Sequence, residues 1–177
     1  LGIAALYCYD RRVSREQLHK VVWALLMPVI SLGSYLYFYT PDTREVLNGT
    51  GSNFALSGGY GPNQVATALG IGMFALAVQL FVNGKNKLIF FLNLAILMFL
   101  TYRGIITFSR GGIFTAAIIS VVFIFFYFQG VSKKKKNAQS FYMLVLGIAI
   151  ATTWFISSVR TMGLIDLRYA NKDAAGR

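Results

Sequence analysis

The sequence predicts an all-α polytopic membrane protein, a bundle of about five complete transmembrane helices with the end of a further one. Of its 177 residues, 56% are hydrophobic and 13% are charged, whereas a soluble domain carries about 25% charged residues. The hydrophobic residues form blocks of about twenty, which is the length that an α-helix needs to cross a bilayer. The positive charges fall mainly between these blocks. Together these observations exclude an ordinary soluble domain.

Five apolar blocks are long enough to cross a bilayer as helices. The first contains Pro28, which a membrane helix tolerates as a kink. We predict spans at 21–40, 65–82, 88–108, 113–129 and 141–159. The apolar residues 1–9 are too few to cross, so we interpret them as the end of a preceding span and the chain as an internal piece of a larger protein. Residues 1–159 then form the transmembrane region, and the polar residues 160–177 begin a large loop.

The distribution of lysine and arginine predicts the orientation of the bundle. Ten of the 17 lie in three alternate connections, and seven lie on the other side. The first set comprises 10–20, 83–87 and 131–139, and the second comprises 41–64, 103–112 and 160–177. Short cytoplasmic loops carry the excess of positive charge. We therefore place the lysine run at 133–136 in the cytoplasm and expect the second set to face outward.

Composition also narrows the possible partners. The net charge of +11 does not indicate nucleic-acid binding, because the charges lie in short segments that set topology and face anionic lipid. The six acidic residues of the chain form no cluster in the sequence, and since Mg²⁺ sites usually need carboxylates, we expect no metal site. We interpret Cys8 as a small packed hydrophobic residue. His19, in the charged segment 10–20, is predicted to be a solvated loop residue.

Two arginines occur where so apolar a chain is not expected to carry charge. Arg103 lies near the end of the predicted span 88–108, and Arg110 follows in the sequence SRGG. An arginine at membrane depth costs roughly 2.5–3.5 kcal/mol on insertion scales. No acidic residue in a predicted span offsets this cost. On one continuous helix the two arginines would share a face, because their spacing is close to two turns.

Three roles fit these arginines. Arg110, at a helix end, could extend its charged head to the interface, and Arg103 could hydrogen-bond the carbonyls of a helix end. In the third role they form an anion site at the outward mouth of the bundle, since guanidinium groups bind phosphate oxygens in pairs. Gly111 and Gly112 permit a tight reversal or the close approach of a ligand. Ser109 is placed to cap the following helix, whose N-terminus would favour anions.

The sequence GPNQ opens the second predicted span. Pro62 suits the first turn of a helix. The amides of Asn63 and Gln64 then lie at the outward mouth, within reach of a sugar, a phosphate or a neighbouring helix. Two pairs of small residues follow at the spacing of one helix face, Ala66 with Gly70 and Ala68 with Gly72. Such faces let helices approach each other closely.

The order of these motifs resembles a known family. GPNQ opens a span, SRGG lies at a membrane boundary, and a polar outward segment ends in GR. Over residues 54–177 this is similar to the core of the O-antigen ligase and polymerase superfamily of bacterial envelope glycosyltransferases. The resemblance implies a GT-C-like bundle in the bacterial inner membrane with a large periplasmic loop. It also implies glycan transfer from an undecaprenyl-diphosphate carrier to a periplasmic acceptor, which is the lipid A core in lipopolysaccharide biosynthesis, a growing chain or a protein hydroxyl.

The resemblance assigns roles residue by residue. Arg110 matches the arginine of the family's SRG motif, and Arg177 matches the arginine of the GR that begins the periplasmic loop. Asn63 stands where a Gly-Asn-Pro-Asn-like motif has its last Asn, although this chain departs from that motif with GPNQ. Arg110 and Arg177 are thus implied to be catalytic. The implied diphosphate ligands are Arg103, Arg110 and Arg177, and the residues implied to position the glycan or the loop are Asn63, Gln64 and Arg168.

The implied chemistry needs fixed cations and a base. Negative charge builds up on the leaving diphosphate, and preorganised arginines would stabilise it. Ligases of this family work without a metal, so we expect no cofactor besides the lipid-linked donor. The family's catalytic histidine lies in the periplasmic loop, whereas His19 lies on the predicted cytoplasmic side and is not assigned this role.

Two other classes of function fit the sequence. A transporter of the same lipid-linked glycan could line its path with arginines, and it should then carry polar residues near the middle of the bilayer. A non-catalytic membrane subunit of an envelope complex is the third possibility. A periplasmic histidine beyond Arg177 in the full-length protein would favour the enzyme over this subunit.

Overall fold

The computed structural model describes residues 9, 13–46, 51–82, 86–129 and 133–170, with 133–139 as backbone only. Within these ranges the chain is helical and contains no strand, which confirms the predicted all-α class. The helices are α1 (Arg15–Tyr39), α2 (Thr43–Val46), α3 (Pro62–Val82), α4 (Lys87–Ile105), α5 (Arg110–Gln129), α6 (Lys133–Arg160) and α7 (Leu164–Ala170), with a 3-10 turn at Ala55–Ser57.

Among the described residues, five helices are long and apolar enough to cross a membrane, so the chain is a multi-pass membrane protein. These spans are Glu16–Tyr39, Pro62–Phe81, Lys87–Ile105, Arg110–Gln129 and Ser140–Arg160. Their number and order match the sequence prediction. The predicted end of an earlier span, residues 1–9, lies outside the described residues except for Tyr9.

The third helix occupies the centre of the bundle. In α3, 67% of the span is buried, compared with 11% in α5, and α1, α4 and α5 all pack against α3. A membrane helix surrounded by protein has to admit close neighbours, and small residues make this possible. The central position of α3 places Asn63, in its first turn, between the ends of the surrounding helices.

Both pairs of small residues in α3 are used, but against different helices. A Cβ built on Gly112 of α5 would lie 2.5 Å from the carbonyl oxygen of Ala66, and one built on Gly70 would lie 2.8 Å from the carbonyl oxygen of Gly112. On the other face, a Cβ on Gly72 would lie 2.5 Å from Val29 of α1. The predicted close packing is confirmed at Ala66, Gly70 and Gly72, whereas Ala68 lines an open hollow between α1 and α3. The contact at Gly112 holds the first turn of α5 directly against the first turns of α3.

The prediction for His19 was wrong. Helix α1 begins at Arg15, where Ser14 and Gln17 cap each other's backbone, so His19 is helical and half-buried. Its Nε2 lies 3.0 Å from Trp23 Nε1, which donates to it. Its Nδ1 lies 3.2 Å from the side-chain amide of Gln79 in α3. His19 thus joins α1 to α3 at the end of the bundle opposite Asn63.

Candidate functional site

The turn between α4 and α5 shapes the candidate site. Helix α4 ends at Ile105 and α5 begins at Arg110, so the two conspicuous arginines lie on different helices and not on one continuous face. Between them Phe108 has a φ of 57°, a left-handed conformation that costs a bulky residue about 1–2 kcal/mol. The surrounding structure has to hold a residue in such a conformation.

Packing of the Phe108 side chain holds the turn in place. This side chain is fully buried in a small core at the end of the bundle that carries Asn63. The core also contains Leu56, Ile105 and Ile165, with Trp154, Leu164 and Tyr169 against it. In addition, the backbone N–H of Asn53 donates to the carbonyl of Thr107 at 3.2 Å. Contacts with segments that are distant in sequence therefore fix the path of the chain at Ser109 and Arg110.

Arg103 ties the end of α4 to the end of α1. Its side chain is 6% exposed, and its Nη2 donates to the carbonyl of Leu36 and to the hydroxyl of Thr40, both at 2.6 Å. These contacts match the structural alternative, in which Arg103 bonds a helix-end carbonyl. Its Nε is buried and has no hydrogen-bond partner among the described residues. Contact between Arg103 and a diphosphate stays a prediction.

Arg110 and Arg168 lie beside each other. Arg110 Nη1 donates to the backbone carbonyl of Arg168 at 3.3 Å, and Arg168 Nε donates to the backbone carbonyl of Phe108 at 3.3 Å. Both side chains are half-buried. Burial lowers the pKa of Arg168, and the like charge of Arg110 lowers it further. Two half-buried guanidinium groups with the same charge form an electrostatic environment that favours an anion.

A tight reversal after α6 brings Arg168 to this position. Helix α7 folds back, and Asp166 accepts hydrogen bonds from Trp154 Nε1 at 2.9 Å and from the hydroxyl of Ser158. Both carboxylate oxygens of Asp166 are therefore used to fasten α7 to α6. As a result the side chain of Arg168 extends toward the turn at Phe108.

Tyr169 is a site residue that sequence reasoning missed. Its ring packs between Phe114, at 5.5 Å, and Trp154, at 4.9 Å, measured between ring centroids. Burial raises the pKa of its phenol to about 12, although the positive charges of Arg110 and Arg168 act to lower this pKa. The hydroxyl is buried and has no hydrogen-bond partner among the described residues. A phenol that stays protonated beside two cations is a hydrogen-bond donor for an anion. In the sequence, the one indication that Tyr169 belongs to the site was its position next to Arg168.

Asn63 joins this group, whereas Gln64 does not. The hydroxyl of Ser109 donates to Asn63 Oδ1 at 2.7 Å, so Ser109 lies just before α5 but bonds to α3. Gln64 lines a separate hollow with Tyr35 and Tyr60. Of the predicted site residues, the structure brings together Asn63, Arg110 and Arg168, and Arg177 lies outside the described residues. We call Asn63, Ser109, Arg110, Arg168 and Tyr169 the arginine cluster.

An apolar cavity lies within the membrane-spanning part of the bundle. It has a volume of about 300 Å³ and lies between α5 and α6, with α3 and α4 as its floor. Ile113, one turn below Arg110, lines its upper part. Met73, Leu97, Ile124, Leu146 and Ile150 continue the lining. The apolar lining suits a hydrocarbon chain, and Ile113 is the lining residue nearest in sequence to Arg110.

The fold and the cluster define the class of this chain as an all-α, multi-pass membrane protein with paired arginines at one end of its bundle. No family model, curated protein or solved structure matches the chain. The resemblance to envelope glycosyltransferases therefore stays a prediction.

Proposed function

We propose that the protein is a glycosyltransferase of the O-antigen ligase type in the bacterial inner membrane, with its site facing the periplasm. It would move a glycan from an undecaprenyl-diphosphate carrier to the lipid A core. The observation that carries this proposal is the contact between Arg110 and Arg168, at the start of a helix whose next turn, at Ile113, lines an apolar cavity. A polysaccharide polymerase and a protein O-oligosaccharyltransferase of the same superfamily are the closest alternatives, since they use the same type of donor.

The cluster matches the polar end of such a donor. A diphosphate carries negative charge and several acceptor oxygens. Arg110 and Arg168 offer cationic hydrogen-bond donors, and Tyr169 offers a neutral one. An anion would relieve the repulsion between the two guanidinium groups. Ser109, held by Asn63, fixes the start of α5 against α3. These hydrogen-bond donors are thus preorganised, which is the condition for electrostatic stabilisation of a transition state.

The cavity matches the other end of the donor. A polyprenyl chain has to remain in hydrocarbon while its diphosphate meets the protein at the membrane boundary. The cavity lies below Arg110 within the span and is lined almost wholly by apolar side chains. A free sugar phosphate would not need such a cavity, so its position supports a lipid-linked donor.

In the proposed reaction the bond between the anomeric carbon and the diphosphate oxygen breaks, and its electron pair leaves with the diphosphate. An acceptor hydroxyl oxygen bonds to the anomeric carbon and releases its proton. Arg110 and Arg168 would stabilise the charge that develops on the leaving oxygen. The resemblance assigns the proton to a histidine of the periplasmic loop and assigns a further diphosphate contact to Arg177.

Transfer assays on membranes test this role. Replacing Arg110 by Lys keeps the charge but removes the paired donors of the guanidinium, so we expect most of the transfer to be lost. Replacing it by Ala should lower transfer roughly a hundredfold. Arg160→Lys is the matched control, because Arg160 is an exposed arginine at the same end of the bundle. Normal transfer by Arg110→Ala at equal protein level would remove Arg110 from the mechanism.

One observation favours a transporter of lipid-linked glycans as a second candidate. Asn93 lies inside α4 and is 1% exposed, and its amide has no hydrogen-bond partner among the described residues. Buried polar groups inside a membrane span are expensive and often mark a path. In proteoliposomes, a transporter would move the lipid-linked glycan across the bilayer without an acceptor, and Asn93→Leu would stop this movement. A glycosyltransferase would show neither effect.

A further inference from the structure

A second hollow lies on the other side of the first turn of α3, away from Arg110. It is open, with a volume of about 430 Å³, and lies between α1 and α3. Tyr35 and Ser31 of α1 form one wall, and Gln64 and Ala68 of α3 form the other. Tyr60, from the loop that precedes α3, also lines it. We call this space the tyrosine hollow.

The tyrosine hollow is built by contacts that hold its aromatic rings in place. The rings of Tyr35 and Tyr60 lie 6.1 Å apart at an angle of 61°. Gly58 has a φ of 67°, and a Cβ there would lie 2.9 Å from the ring of Tyr35, so the loop can approach this ring only because position 58 is glycine. Leu56 is fully buried beneath the loop. Tyr60 therefore belongs to an anchored segment of the chain.

The polar groups of the hollow are available to a ligand. Several hydroxyls in the spans bond to the carbonyl four residues earlier, as Ser34 does to Ile30 and Thr67 to Asn63. Ser31 makes no such bond, and the side-chain amide of Gln64 likewise has no hydrogen-bond partner among the described residues. None of the described residues that line the hollow is charged. Two aromatic rings and the neutral polar groups of Ser31 and Gln64 share the hollow with aliphatic side chains, which are those of Leu32, Val65 and Ala68.

We propose that the tyrosine hollow binds a neutral sugar residue. The C–H face of a pyranose packs on the electron-rich face of an aromatic ring, while amide and hydroxyl groups bond to its hydroxyls. The volume is within the range of small-molecule sites. A lipid chain would match the rings but would leave the amide of Gln64 and the hydroxyl of Ser31 without partners. A charged headgroup would find no counter-charge.

The hollow has a specific place relative to the arginine cluster. Asn63 bonds to Ser109 in the cluster, and the next residue, Gln64, lines the hollow. The first turn of α3 thus separates a site suited to a diphosphate from a site suited to a sugar. The bound sugar is then part of the acceptor, an assignment that rests on the proposed function. Sugar binding by the hollow does not depend on it.

Saturation-transfer NMR tests the binding. The protein is placed in phospholipid nanodiscs free of sugar-based detergent, and glucose, galactose and N-acetylglucosamine are the probes. We expect transfer to the ring protons of at least one sugar and about threefold to tenfold weaker binding in Tyr60→Ala. Tyr60→Phe should retain binding, because it keeps the ring. Gln64→Ala should weaken binding without abolishing it.

Two controls separate this site from its surroundings. Tyr37 is exposed on the same helix as Tyr35 but packs against Phe38 and Phe99, so Tyr37→Ala should bind as the wild type does. Arg110→Ala should also bind sugar normally while losing transfer. No saturation transfer to any of the three sugars would overturn the proposal, as would equal binding by wild type and Tyr60→Ala. Normal transfer in Arg110→Ala with intact sugar binding would instead contradict the proposed function alone.

Discussion

The side chain of Arg110 donates a hydrogen bond to the backbone carbonyl of Arg168 at 3.3 Å, although the two residues are 58 positions apart in the sequence. Arg168 in turn bonds to the carbonyl of Phe108, two residues before Arg110. This exchange joins the start of α5 to the short helix α7. It brings two guanidinium groups to the same end of the bundle.

The first prediction concerns the side chain of Arg168. Arg110 contacts the backbone of Arg168, so Arg168→Ala removes one cation and leaves the partner of Arg110 in place. We expect transfer to fall roughly tenfold or more, because one fixed donor to the leaving group is lost. Transfer assays at matched protein level measure this. Unchanged transfer would show that the side chain of Arg168 has only a structural role.

The second prediction concerns the close contact of α3 and α5. Gly112→Ala places a methyl group against the backbone of Ala66, which cannot move aside as a side chain can. We expect a loss of about 1–3 kcal/mol in stability, seen as a lower unfolding temperature in detergent. Gly111→Ala is the matched control, since a Cβ there meets nothing within 4 Å. Equal stability of the two variants would contradict the close helix contact at Gly112.

Several of these features were predictable from the sequence, and others depend on tertiary packing. The five spans follow from hydrophobic length, and the contact of Gly70 with α5 follows from small residues at helical spacing. The left-handed Phe108 was not predictable, because its conformation depends on a core made by distant segments. The position of Tyr169 was missed for the same reason.

The error at His19 had a different origin. The capping pair Ser14 and Gln17 was visible in the sequence and marks the start of a helix before His19. The prediction followed the charge of the segment 10–20 and overlooked this signal. Asn63 and Gln64 lie in two different sites, which could not be predicted. Successive residues of a helix point in different directions, and the sequence did not show which helices pack on each side of α3.

The third prediction concerns alkaline pH. Burial raises the pKa of Tyr169 to about 12, above the value of about 10 for an exposed tyrosine. Its contribution to stability is fully present below pH 10 and is lost as the pH rises toward 12, because the unfolded chain releases the proton first. Tyr169→Phe should therefore lose less stability between pH 9 and 11 than the wild type, measured by thermal unfolding. An equal loss in both proteins would show that Tyr169 is not buried in this way.

The fourth prediction concerns orientation. In a background with Cys8→Ser, a cysteine at Ser52 should react with a membrane-impermeant maleimide added outside the inner membrane. A cysteine at Lys87 should react only after permeabilisation, because the lysine- and arginine-rich connections are predicted to face the cytoplasm. Both positions are exposed in the structure. The reverse pattern would place the arginine cluster in the cytoplasm and exclude a periplasmic reaction.

Binding of undecaprenyl diphosphate to the purified protein in nanodiscs tests the diphosphate site most directly. Wild-type protein should bind the diphosphate at least tenfold more tightly than undecaprenol, since the arginine cluster recognises the charged end. Arg110→Lys and Arg168→Ala should each reduce this preference, while Arg160→Lys should leave it unchanged. Equal affinity of the wild type for the diphosphate and the alcohol, or an unchanged preference in Arg110→Lys, would contradict the assignment of this cluster to a lipid diphosphate.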